Sequence, residues 1–228
     1  MPSVLLVLSS HPAPGSATPG WSLPQAARVW HRLGSADCEV DFCTMAGGPS
    51  PSPGTQDNGD DGGDPARSAF VTDPDVREDL EDTPRPDQVN PDDYDALILI
   101  GGPGAAWDFP DSEELQVLCG AVYDNGGVLG AIGEGVAGLL NLREVNDGLL
   151  IEGRQIAAPS AEEERAHPTA AQPPVLISDG LRERGAVHRP AEPGREQVAV
   201  DERLVTGQNT ASAVDVADAV LALLADMG

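Results

Sequence analysis

The stretch Val128 to Leu140, VLGAIGEGVAGLL, constrains the fold more than any other part of the chain. Small and apolar residues run through Val128, Leu129, Ala131 and Ile132, break at Gly133-Glu134-Gly135, and resume with helical spacing at Val136, Leu139 and Leu140. A buried strand, a turn of one or two residues and a helix satisfy that pattern. A turn of this kind, a nucleophile elbow, lifts one side chain above the carboxyl edge of a parallel sheet and leaves the next backbone N–H free to hold an oxyanion. The tip here is Gly133, which has no side chain to attack with. Glycine also removes most of the strain, about 1–3 kcal/mol, that a side chain in such a conformation carries. An ordinary βα turn that uses glycine for close packing fits the same residues.

The rest of the chain supplies partners for that unit. Ser3 to Ser10 is apolar on both faces and predicts a central parallel strand, with His11 at its carboxyl end, where open α/β sheets place their sites. Trp21 to Leu33 predicts a helix ended by Gly34, and Cys38 to Thr44 a second strand. Met45 to Pro65 reads as a surface loop rather than a linker, and Pro74 to Leu80 and Pro91 to Tyr94 as short helical pieces. Ala96 to Ile100 is a third buried strand running into Gly101-Gly102-Pro103-Gly104, where backbone amides can approach a ligand. Ser112 is the expected cap of a helix through Tyr123. Further on, Leu149 to Ala157 suggests a hairpin around Glu152-Gly153, Glu162 to Glu164 a solvated face, and Pro173 to Arg184 a helix. Val198 to Val205 suggests a strand or hairpin turning at Asp201-Glu202, and Ser212 to Met227 a terminal helix with Val214, Ala217, Val220, Leu221 and Leu224 inward. The chain of 228 residues suits a single domain spanning 1–228.

Charge excludes some functions. There are 38 acidic residues against 13 basic ones, a formal net charge of −25, and every basic residue is arginine. Such a surface repels phosphate backbones, so no nucleic-acid partner is expected. Self-repulsion of this size is relieved by salt, which suggests a saline host; a GC-rich genome favouring arginine explains the missing lysine equally well. No membrane-spanning run of about 18 apolar residues occurs. MPSVLLVLSS reads as a strand rather than a leader, so a cytoplasmic protein is expected. Cys38, Cys43 and Cys119 have neither disulfide parity nor metal-ligand spacing, and no metal or cofactor is expected. Cys43, near the end of the second strand, is the one thiol worth testing for reactivity.

Five segments together resemble the ThiJ/PfpI superfamily of class I glutamine amidotransferase-like proteins, in its branch of heat-inducible chaperones and glutathione-independent glyoxalases (glyoxalase III). SSHPAPGSATPGWSLPQ (9 to 25) is similar to the family's first-strand edge and entry helix, and YDALILIGGPGAAWDFPDS (94 to 112) to its third strand and glycine turn. AIGEG (131 to 135) falls at the elbow, GRQIAAPSAEEE (153 to 164) at the following hairpin, and LVTGQNTAS (204 to 212) at the C-terminal signature. The resemblance implies an α/β fold, a flavodoxin-like three-layer sandwich around a mostly parallel sheet, usually a homodimer. It implies conversion of methylglyoxal to lactate, in which a cysteine thiolate attacks the aldehyde, a neighbouring histidine moves protons and a helix glutamate tunes the thiol.

Carried over by position, the cysteine falls on Gly133, the histidine on Glu134 and the glutamate on Gln25, so all three roles are vacated. Loss of a nucleophile and its base removes several orders of magnitude in rate. The backbone donors of Gly102 and Glu134 need no side chain and can persist, although the Glu134 carboxylate beside them disfavours an oxyanion. The first expectation is therefore a non-catalytic family member that binds a small carbonyl ligand or an unfolded client protein. The alternative is a lyase, hydratase or isomerase acting on a small carbonyl compound with Glu134, Glu163 and His11 as acid and base. A metal site built on His11 and Glu134 is weaker still, because His31, His167 and His188 lend no ligand spacing.

Overall fold

The computed structural model describes residues 1–12, 20–51, 63–166, 173 and 176–227. In chain order the elements begin with β1 (Ser3–Leu8), α1 (Leu23–Gly34), β2 (Glu39–Thr44), α2 (Pro65–Thr72), α3 (Pro74–Glu81) and β3 (Ala96–Leu99). They continue with α4 (Ala105–Asp108), α5 (Glu113–Asp124), β4 (Val128–Ile132), a 3-10 helix (Gly133–Leu139), β5 (Gln155–Ile156), α6 (Ala161–Ala166) and α7 (Ile177–Glu183). The last are β6 (Val187–His188), β7 (Val198–Asp201), β8 (Leu204–Gly207) and α8 (Ala213–Met227).

A six-stranded sheet ordered β2-β1-β3-β4-β8-β7 organises the fold, with every pair parallel except β7 and β8. Period-two patterning divides its side chains between two cores. Val4, Leu6 and Leu8 of β1 face a layer that includes Val29 of α1 and Val216 and Val220 of α8. Leu5 and Val7 face the other layer, with Leu118 and Cys119 of α5 and Leu139 after the elbow. This is the mostly parallel three-layer arrangement that the family resemblance implies. β1 and β3 are neighbours from which the chain departs in opposite directions, and their carboxyl ends open the crevice where such sheets bind ligands.

Several local expectations need correction. The loop expected over 45–65 ends in the start of a helix: Asp64 accepts from the Ala66 amide at 3.0 Å and Pro65 opens α2, so the Asp-Pro pair is a helix start rather than a turn. Gly48 also bridges Thr83, and the remainder of that stretch, 52–62, lies outside the described residues. The hairpin expected over Leu149 to Ala157 does not form. Glu152 and Gly153 do turn, but β5 pairs in parallel with β6, and the amides of Gln155 and Ala157 donate to Asp201 Oδ2 and Thr206 Oγ1. Arg154 fixes this crossing by bonding Glu144, Asp201 and Glu202.

The helix predicted over Pro173 to Arg184 is the shorter α7, with 174–175 outside the described residues. The β7–β8 hairpin turns one residue later than expected, at Glu202-Arg203, with Glu202 at φ 54°. Val214 is 39% exposed rather than inward, and Val216 takes the buried position on α8. The segment after the elbow is a 3-10 helix, although Val136, Leu139 and Leu140 are buried as their spacing predicts.

Candidate functional site

The turns after β4 and β3, Thr210 beyond β8 and the helix α1 build the site. β4 ends at Ile132, and Gly133 follows at φ +56°, the left-handed conformation that an elbow requires and that glycine adopts without a Cβ penalty. Across from it stands Gln25 of α1, only 3% exposed. A Cβ on Gly133 would lie 3.0 Å from Gln25 Nε2, so the glutamine amide faces the position where a nucleophile's side chain would begin. Gln25 is held at both ends: its Oε1 accepts from the Gly101 amide at 2.9 Å and its Nε2 donates to Thr210 Oγ1 at 3.3 Å. Arg28, one helical turn further along α1, donates to the Thr210 carbonyl and to Asp64.

The turn after β3 is equally fixed. Gly102 has φ +129°, and a Cβ there would fall 2.6 Å from backbone atoms of Trp21 and Ser22. Its amide points into the crevice and donates to Glu134 Oε2 at 3.1 Å. One of the two backbone donors expected to hold an oxyanion is therefore engaged by a carboxylate of the chain itself.

The other candidate residues have partners of their own. The ring of His11 stacks on Trp107 with centroids 5.3 Å apart and planes 4° from parallel. The His11 amide, the Ser10 amide and the Ser9 hydroxyl all converge on Asp108. Burial raises the Asp108 pKa, although these three donors and the charge of His11 pull it down. Asp108 thus clamps the residues that follow β1.

Glu163 belongs to a cap. Its Oε2 accepts from the Ser160 amide while the Ser160 hydroxyl accepts from the Glu163 amide, a reciprocal capping box at the start of α6. Its oxygens also take bonds from Gly194, Gln208 and Asn209. Burial raises its pKa, but the Gly194 and Ser160 amides and the Asn209 and Gln208 side chains outweigh that and hold it below the ordinary glutamate value. Glu164 in turn caps α7 through Ile177 and Ser178. The acidic run expected as a solvated face therefore supplies two structural caps, and the S-x-x-E spacing of Ser160 to Glu163 is the sequence signal for the first. Neither Glu163 nor Glu134 bonds the other or His11.

Cys43 is fully buried in the α5-side core, and burial, with a smaller contribution from Asp87, pushes its thiol up to about 12. Cys38 and Cys119 are buried too, and burial raises both. Among the described residues no group of three or more His, Cys, Asp or Glu side chains could hold a metal ion, and no helix is long and apolar enough to cross a membrane.

The model of the DJ-1/PfpI family matches residues 29–223. The chain belongs to the DJ-1/PfpI family. Within it, the chain is similar to a probable glutathione-independent glyoxalase of Schizosaccharomyces pombe, with 35% identity over 146 residues covering 60% of this chain and 56% of that protein. It is also 30% identical over 130 residues to glutamine amidotransferase-like class 1 domain-containing protein 1 of Bos taurus, covering 57% and 59%. The chain thus spans under two thirds of the length of these relatives.

Among solved DJ-1/PfpI-like structures, a rapid encystment protein of Francisella tularensis superposes with a TM-score of 0.87 at 27% identity, over 98% of this chain and 99% of that one. Glyoxalase III of Candida albicans superposes with a TM-score of 0.86 over 97% of both chains; its 23% identity makes it a likeness of fold alone.

Proposed function

We propose that this DJ-1/PfpI protein has left the cysteine chemistry of its glyoxalase-named relatives and works by binding, either a small carbonyl compound at the elbow or, as a homodimer with holdase character, an unfolded client. One observation carries the reading: the elbow at Gly133 has a positive φ and faces Gln25 but bears no side chain. An aldehyde carbon placed there meets no nucleophile. Gln25 cannot take a proton from one either, since an amide has no acid–base capacity near neutral pH. What remains of a catalytic arrangement is binding and backbone donors, worth a small part of the original rate enhancement.

The carboxylate-enzyme alternative draws less support, because Glu163 is a cap whose bonds among the described residues come from Ser160, Gly194, Gln208 and Asn209. The deciding experiment is lactate formation from methylglyoxal by the purified chain. A rate indistinguishable from a buffer control is expected, and a rate well above it would refute the reading.

A further inference from the structure

The lost nucleophile does not explain why a carboxylate sits on the Gly102 amide. That amide has little freedom to turn away: Gly102 occupies a glycine-only conformation, and the Trp21 and Ser22 backbone closes the space beside its Cα. A fixed backbone N–H at the carboxyl edge of a parallel sheet attracts an anionic oxygen. Here Glu134 Oε2 supplies it from within the chain, at 3.1 Å. Glu134 is half-buried, and among the described residues its carboxylate takes no other hydrogen bond and meets no arginine. A carboxylate held by one backbone donor and no cation has the geometry of a bound anion rather than that of an ion pair built for stability.

We propose that Glu134 is a built-in ligand that sets the specificity of the elbow site. Its carboxylate fills an anion seat at Gly102, so small carboxylates and other oxyanions are shut out; beneath it lies a seat for one carboxylate oxygen. Two effects act together. The donor is already satisfied, and a second negative charge beside Glu134, on a chain of net charge −25, is repelled. Replacing Glu134 by alanine removes both effects at once, whereas glutamine removes the charge and keeps an oxygen on the amide. The inference rests on the proposed function only in treating the elbow as a binding site, and its test reads no turnover.

The test uses acetate as the probe and the ¹H–¹⁵N resonance of Gly102 as the reporter, in the full chain. In E134A acetate is expected to shift that resonance saturably, with an apparent affinity at least tenfold tighter than in the unaltered protein or in E134Q. Equal affinity in the unaltered protein and E134A would overturn the proposal, and so would equal affinity in E134Q and E134A, which assigns the exclusion to charge alone. Should E134A fail to fold, a pH titration decides. The Gly102 amide of the unaltered protein is expected to move with protonation of one carboxylate and to stay flat in E134Q; a flat profile in both overturns the proposal. Methylglyoxal turnover, if found, would strike the non-catalytic reading and leave these amide shifts standing.

Discussion

Nε2 of Gln25 lies 3.0 Å from the point where a Cβ on Gly133 would stand, across 108 residues of sequence. The contact is tight enough that the elbow accepts hydrogen there more easily than methyl. At φ +56°, alanine adds left-handed strain of about 1–2 kcal/mol to that crowding. G133A is therefore expected to unfold at lower urea concentration, with an unchanged slope. An equally stable variant would mean that the turn relaxes freely.

Gln25 supplies a second expectation. A protonated glutamate could reproduce both of its bonds, accepting from Gly101 and donating to Thr210, but an ionised one would be buried without a cation on its carboxylate. Burial would then raise the pKa of the introduced carboxyl in the folded state above its unfolded value, about 4.3. A raised folded pKa gives stability that is complete below the unfolded value and is lost as pH rises. Q25E should match the unaltered protein near pH 4 and fall behind it toward pH 8, by about 1.4 kcal/mol for each unit of elevation. Urea unfolding at both pH values measures this.

Glu163 should behave in the opposite sense. Its folded pKa is held below 4.5, so its contribution is present above that value and lost as pH falls through the folded one. E163Q should flatten the acid limb of the stability profile. E163A, which also leaves the Ser160, Gly194, Gln208 and Asn209 donors without this acceptor, should cost about 1–2 kcal/mol at neutral pH. Denaturant midpoints between pH 3 and pH 7 provide the check.

The net charge of −25 leaves most carboxylates without an arginine, since there are 38 acidic residues for 13 arginines. Screening should relieve their repulsion, and the melting temperature should rise from low salt to molar potassium chloride. A flat or falling dependence would remove the suggestion of a saline host.

Much of this was legible in the sequence where the physics is local. The run from Val128 to Ile132 broken at Gly133 carries the strand and the elbow, and the alternation in Ser3 to Leu8 serves two cores, as a central strand must. The approach of Gln25 to Gly133 came from the family resemblance, because no periodicity links residues so far apart. The bond from Gly102 to Glu134 was hidden for a different reason: it depends on which way one side chain turns, so sequence could place the carboxylate near the donors but not on one. Ser160 and Glu163 carried a readable capping box, obscured by two further glutamates beside Glu163. The pairing of β5 with β6 joins segments about 30 residues apart through two-residue strands, too short to leave a pattern.

The central claim is that no nucleophile stands at the elbow and that no other thiol replaces it. Intact-mass analysis of the native protein after treatment with iodoacetamide tests this most directly. Cys38, Cys43 and Cys119 are all buried, so no adduct is expected until the chain is denatured, when three should form. Rapid alkylation of Cys43 in the native protein would contradict the account.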